Sequence, residues 1–268
     1  MLFAIPAAAQ VRIEITGGTE AALPIAAVQF RGNEQAPEAD IARIIRANLY
    51  RSGIFAPLDP NNHIGRPARF EDVRFRNWRA LGVDSLVVGE IQRESDSRYT
   101  VRYELLDVYA GSRIMGQRYR VTGADLRELA HTISDQIFQA LIGMPGGFNT
   151  SLAYVQVTGD AGSQEHKLII ADADGHRPQT ILTSSQPLLS PSWSPDGDRL
   201  AYVSFESGRS SQIYVQHVAT GERQAVTRFA GINSAPAWSP NGRQLAVTLS
   251  RDGNPNIYII NADGRGEP

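Results

Sequence analysis

The stretch Leu189–Gly197, LSPSWSPDG, returns as Ser234–Gly242, SAPAWSPNG. Trp193 and Trp238 stand 45 residues apart, as do Pro195 and Pro240, and Gly197 and Gly242. Downstream, LAYVSF from Leu200 corresponds to LAVTLS from Leu245, and QIYVQHVATG from Gln212 to NIYIINADG from Asn256. A period near 45 residues with several short strands per unit is the signature of a β-propeller blade. In such a blade the Trp-Ser-Pro segment forms the inner strand. Pro-Asp-Gly or Pro-Asn-Gly then makes a tight turn in which glycine takes a positive φ. Leu-Ala-Tyr-Val is the buried second strand and Ile-Tyr-Val the third. A β-sandwich is the alternative for such a run of short strands.

A more degenerate unit comes first. Leu152–Val157 matches the second strand, Lys167–Asp172 the third and Gln179–Thr183 the fourth, and no Trp-Ser-Pro strand precedes them. In propellers whose ring is closed by a shared blade, that strand comes from the far end of the chain. Here the last unit stops after its third strand. A closed ring needs at least four blades, so the expectation is an incomplete propeller from a chain cut short of its full length.

Upstream the periodicity is different. Val11, Ile13 and Ile15 alternate with polar residues, and Leu23–Phe30 is a nearly continuous apolar run, so both read as strands. Ile41, Ile44, Ile45 and Leu49 form one stripe of a helix over about Pro37–Ser52, with Pro37 in its first turn and Gly53 past its end. A shorter helix over about Asp72–Leu81 leads to strands at Ser85–Ile91, Tyr99–Leu105 and Ile114–Val121. An amphipathic helix over about Asp125–Ile142 closes the segment. This order predicts a small α/β layer domain whose helices cover one side of a mixed sheet. The glycines and proline of GMPGGFN mark a linker.

The first residues, MLFAIPAAAQ, carry a short apolar run, a proline and three alanines, as does the end of a secretory signal peptide cleaved before Gln10. The expected organisation is therefore a signal remnant at 1–9, an α/β domain at 10–143, a linker at 144–150 and a partial propeller at 151–268. The fold class is α+β with two domains. An exported protein is the corresponding expectation, and no later stretch of the sequence approaches the length of a membrane span.

Of the 268 residues, 42% are hydrophobic and 20% charged, the formal net charge is −2, and cysteine is absent. That composition argues against a nucleic-acid binder and excludes disulfides, thiolate metal sites and a cysteine nucleophile. No Gly-x-Ser-x-Gly elbow occurs, and the five histidines lack metal-ligand spacing. The run Asp172-Ala173-Asp174-Gly175 starts like a calcium loop but lacks its later acidic ligands, and a β-turn is the better reading. Catalytic, cofactor and metal residues are therefore not assigned.

Binding surfaces are the better candidates. Loops leading into the inner strands crowd one mouth of a propeller, which singles out Leu188, Leu189, Ser190, Ile232, Asn233, Ser234 and Ala235. Their apolar members suit a protein contact; packing between blades is the competing role for the leucines. Trp193 and Trp238 fit blade core better than contact surface. Val11, Arg12, Ile13, Glu14, Ile15 and Thr16 suit pairing with a partner's sheet or an edge strand of their own domain.

Together these residues resemble the TolB family of the Tol-Pal system. QPLLSPSWSPDGDRLAYVSFESGR from Gln186 to Arg209 is the most specific stretch, supported by the strand at Pro24, RSGIFAPLD from Arg51 and ALGVDSLVVGEI from Ala80. The resemblance implies a periplasmic, non-enzymatic adaptor with a six-bladed propeller. It implies that the propeller binds the lipoprotein Pal through its mouth loops and that the N-terminal segment, here Val11–Thr16, engages TolA. It further implies support of outer-membrane integrity and of invagination at cell division, without direct membrane insertion. The rival reading is the propeller of a prolyl-oligopeptidase-like serine peptidase that lacks its hydrolase domain.

Overall fold

The computed structural model describes residues 22–36, 38–208 and 210–266. The expectations for the signal remnant, for Val11–Thr16 and for Pro37 lie outside them. The chain divides into two compact units between Gly146 and Gly147.

The first unit is built on β1 (Leu23–Ala27), α1 (Ile41–Arg51), β2 (Phe55–Pro57), α2 (Phe75–Ala80), β3 (Ser85–Arg93), β4 (Arg98–Asp107), β5 (Ser112–Thr122) and α3 (Leu126–Ile142). The sheet runs in the order β2-β1-β3-β4-β5. Strand β1 is parallel to both β2 and β3, and the remaining pairs are antiparallel. Strand β2 is a short edge strand, where Pro57 is tolerated because its nitrogen has no ladder partner to serve. Helix α1 begins at Ile41, later than the expected Pro37, because Asp40 takes the cap: its Oδ1 accepts from Arg43 N at 2.9 Å. The expected helix over Asp72–Leu81 breaks at Val73, whose backbone is extended, leaving a 3₁₀ turn at Phe70–Asp72 and the six-residue α2.

One-sided helical cover, the sequence expectation, is not what forms. Alternation sends Ala26, Val28, Leu86, Val88 and Leu106 to one face of the sheet, where α2 buries Trp78 against them. Tyr103 points to the other face and donates from its hydroxyl to Gln136 Oε1 of α3 at 2.6 Å. There α1 and α3 pack together through Asn48, whose Nδ2 meets His131 Nδ1 at 2.9 Å and Ser134 Oγ at 2.8 Å. Trp78 of this short helix, with Phe70, Phe75 and Leu81 beside it, covers a face that periodicity over six residues is too short to announce. Gly89 belongs to β3 because a Cβ there would lie 2.5 Å from the Phe30 ring.

The second unit is all β. Its first sheet holds β6 (Ser151–Thr158), β7 (Glu165–Asp172) and β8 (Gln179–Ser184). The second holds β9 (Leu188–Trp193), β10 (Arg199–Ser204), β11 (Gln212–His217) and β12 (Arg223–Ala225). The third holds β13 (Asn233–Trp238), β14 (Gln244–Leu249) and β15 (Asn256–Asn261). All pairings are antiparallel, as blade sheets require. The sheets stack face to face. Leu168, Leu188 and Tyr202 close the seam between the first and second with Val155 and Ile181. Ala201, Val203, Ile213 and Val215 meet Leu245, Val247 and Ile260 across the next seam. Among the described residues no barrel or ring closes: this is an incomplete propeller.

Candidate functional site

The repeated motif builds the same corner twice. In the second blade Gly197, at φ 75°, returns its N–H to Ser194 O at 2.9 Å, and Ser194 Oγ donates to Asp196 Oδ1 at 2.5 Å. In the third, Gly242, at φ 66°, does the same to Ser239 O at 2.9 Å, and Ser239 Oγ donates to Asn241 Oδ1 at 2.8 Å. The hydrogen bond from Ser194, reinforced by Asp198 N and by Arg199, holds the Asp196 carboxyl at about 2.

The inner strands β9 and β13 also share an irregularity. Ser190 and Ala235, again 45 residues apart and each followed by a proline, both have φ 51°. Both fall where the register with the second strand shifts. Backbone strain of this kind costs on the order of 1 kcal/mol, and here the fold places it at the entrance of two successive inner strands. The sequence signal for it was the residue–proline step recurring at the repeat spacing.

The seven residues singled out as mouth loops lie mainly within these strands. They divide by burial. Leu188 is fully buried in the seam with Leu168 and Tyr202, so it packs blades together and presents nothing to a partner. Asn233 is also fully buried; its Nδ2 donates to Phe229 O at 2.8 Å, and its N–H to Ser211 Oγ at 2.9 Å. Ser234 is half-buried. Leu189 and Ile232 are exposed by 48% and 46%, and Ser190 and Ala235 are exposed beside or near them in sequence. Leucines at 188 and 189 therefore have opposite roles, because one step along a strand reverses the face.

Trp238 ties its blade to the one before it. Its Nε1 donates to Ser192 O at 3.0 Å, and the Arg199 guanidinium lies 4.7 Å from its ring centroid. Sequence reading placed the two tryptophans in the core but missed this link, which needs the neighbouring blade to be seen. Asp172–Gly175 closes as a β-turn, Gly175 N donating to Asp172 O at 2.7 Å, and Arg177 pairs with the Asp172 carboxylate at 3.0 Å.

In the first unit a polar cleft of about 600 Å³ is lined by Asn33, Asp40, Arg46, His63 and Arg66, among others. Arg46 supports the β1 end there, donating to Ala27 O at 2.7 Å. His63 Nε2 lies 3.3 Å from Leu58 O, and burial pushes its pKa below the ordinary value.

An α/β domain followed by Trp-Ser-Pro blades with paired inner-strand bulges defines a two-domain propeller protein. Comparison with known proteins narrows this. Residues 11–114 match the family model of the TolB amino-terminal domain, and residues 138–267 that of the TolB beta propeller domain. The chain is similar to Tol-Pal system protein TolB of Nitrosococcus oceani, 51% identical over 83% of this chain and 51% of the relative. It is 53% identical to that of Alkalilimnicola ehrlichii over 83% of this chain and 52% of the relative. It superposes on the crystal structure of TolB from Acinetobacter baumannii with a TM-score of 0.79 at 36% identity, over 90% of this chain and 58% of that one. The chain belongs to the TolB family and spans about half the length of the curated relatives it matches. The match to the amino-terminal domain is a feature that the peptidase reading leaves unexplained.

Proposed function

We propose that this chain serves as a protein-binding adaptor of the Tol-Pal envelope system in the periplasm, without catalysis of its own. Its partners are the lipoprotein Pal and the protein TolA, and its role is support of outer-membrane integrity and of invagination during cell division. Pal meets the propeller at the exposed part of the inner-strand entrances, Leu189, Ser190, Ile232 and Ala235. TolA meets the N-terminal segment Val11–Thr16.

Family membership in both units carries the adaptor reading. The burial pattern supports the choice of surface, because exposed Leu189 and Ile232 sit at strand entrances pinned by the bulges at Ser190 and Ala235. Apolar side chains on a rigid backbone lose little entropy when a partner covers them. No helix of the described residues is long and apolar enough to cross a membrane.

The test is titration of the purified chain with purified Pal. Charge at both positions, Leu189→Glu with Ile232→Glu, is expected to weaken binding at least tenfold, roughly the 1–2 kcal/mol of a buried apolar contact. Unchanged affinity of the double variant removes the proposed surface. A natively folded wild-type chain that fails to bind Pal removes the adaptor reading itself.

A further inference from the structure

Strand β5 is the longest strand of the first unit and forms an edge of its sheet. It runs for eleven residues, Ser112–Thr122, and among the described residues it pairs with β4 alone. A turn joins it to β4, and a 3₁₀ turn at Gly123–Asp125 joins it to α3, so both its ends lie inside the unit. An edge with unpaired main-chain groups is a template for an added strand unless the protein blocks it. Charged side chains are one such block, and on β5 the charge is of one sign: Arg113, Arg118 and Arg120.

Register puts Gly116, Arg118 and Arg120 on one face, opposite Glu104, Arg102 and Thr100 of β4. Tyr119 points to the other face and meets Gln136 of α3 at 2.9 Å. Glu104 is buried and fully engaged. One carboxylate oxygen accepts from Phe70 N at 2.8 Å, and the other takes Arg102 and, at 3.3 Å, Arg113. Arg118 therefore stands directly opposite a cation, Arg102, and has no ion pair of its own among the described residues. Like charges opposed across a ladder destabilise it. Guarding the edge does not require them, since an acidic side chain in place of Arg118 would guard it equally and pair with Arg102. A cleft of about 300 Å³ opens here, lined by Arg102, Arg113, Arg118 and Gly116. Glycine inside a strand often marks the close approach of another backbone.

We propose that the β5 edge accepts an extended acidic segment of a partner protein, with carboxylates at alternate positions, as an added strand. Main-chain pairing supplies affinity, and the carboxylates that fall on the face of Arg118 and Arg120 supply the choice of partner. One carboxylate takes Arg118 and offsets its repulsion from Arg102. The next, two residues along, reaches Arg120, whose pair with Glu94 at 3.5 Å is exposed to solvent and readily exchanged. This edge belongs to the first unit and the proposed Pal-facing residues to the second, so its failure leaves the adaptor reading untouched.

The probe is a fluorescein-labelled peptide, TVEVEVT, titrated into the whole chain at low salt beside its lysine counterpart, TVKVKVT. The acidic peptide should bind about tenfold more tightly or better, and added salt should weaken it. Amide hydrogen exchange should slow at alternate residues of β5, because every second N–H of an edge strand faces outward. Arg118→Glu should weaken TVEVEVT by about fivefold or more and strengthen TVKVKVT. Arg118 is exposed, so this variant is expected to fold. Absence of binding by TVEVEVT, equal binding of the two peptides, or binding that leaves exchange on β5 unchanged overturns the proposal. If the variant does not fold, the two peptides and the exchange pattern on the wild-type chain decide the matter alone.

Discussion

The four residues Leu152–Val155 and the four residues Leu200–Val203 are chemically the same and physically different. Leu200 and Tyr202 are fully buried, whereas Leu152 and Tyr154 are exposed by 45% and 38%. Both sets occupy the second strand of a blade. The second blade has a sheet stacked on each face, so Tyr202 fills the seam toward the first blade and Val203 the seam toward the third. The first blade has one neighbour within its unit: Val155 enters the shared seam, and the opposite face carries Leu152 and Tyr154. Strand formation is thus a local property of Leu-Ala-Tyr-Val, and its energetic weight is borrowed from whatever stacks on it.

The largest expected effect follows directly. Leu200→Ala should cost about 3 kcal/mol and Leu152→Ala less than about 1 kcal/mol in urea unfolding, since only the first removes a filled core site. Equal losses would break the contrast. The two tryptophans come next. Trp238→Phe removes the hydrogen bond to Ser192 O and weakens the Arg199 contact, and should lower stability by about 1–2 kcal/mol. Trp193→Phe should be neutral or slightly stabilising in the same assay, because it removes a buried donor that has no acceptor.

A smaller effect tests the shared bulge. Glycine at Ser190 or Ala235 relieves the positive φ and should raise stability by about 0.5 kcal/mol per site; a loss at either would show that the side chain there packs rather than strains. The smallest separates the two turns. Asp196 has a folded pKa of about 2 against 3.8 for the free side chain, so its stabilising contribution is present above pH 3.8 and is lost as the pH falls toward about 2. Asn241 at the equivalent corner does not titrate. Asp196→Asn should therefore lower the melting temperature at neutral pH toward its acid value and so flatten the acid limb of the profile.

Much of this was legible in the chain. The 45-residue repeat located inner strands, second strands and both Pro-x-Gly turns, because turn chemistry and alternation are local. The strands β3, β4 and β5 and the helix α3 were legible for the same reason. Three features were not. Strand β2 is three residues long, too short to show a period. The second covered face of the first sheet depends on Trp78 of the six-residue helix α2, joined by Phe70, Phe75 and Leu81 around it. Among the candidate contact residues, separating Leu189 from Leu188 required the stacked sheet that buries one of them.

By itself, then, the sequence determined which segments are strands, where they turn, and that the units repeat, since these depend on residues close along the chain. The tertiary structure decided what each repeat is worth. It buried one Leu-Ala-Tyr-Val and exposed another, and it supplied an acceptor to Trp238 while leaving Trp193 without one among the described residues. The physical reason is that burial and hydrogen-bond satisfaction belong to pairs of surfaces, and a repeat does not state which surface its neighbour will present.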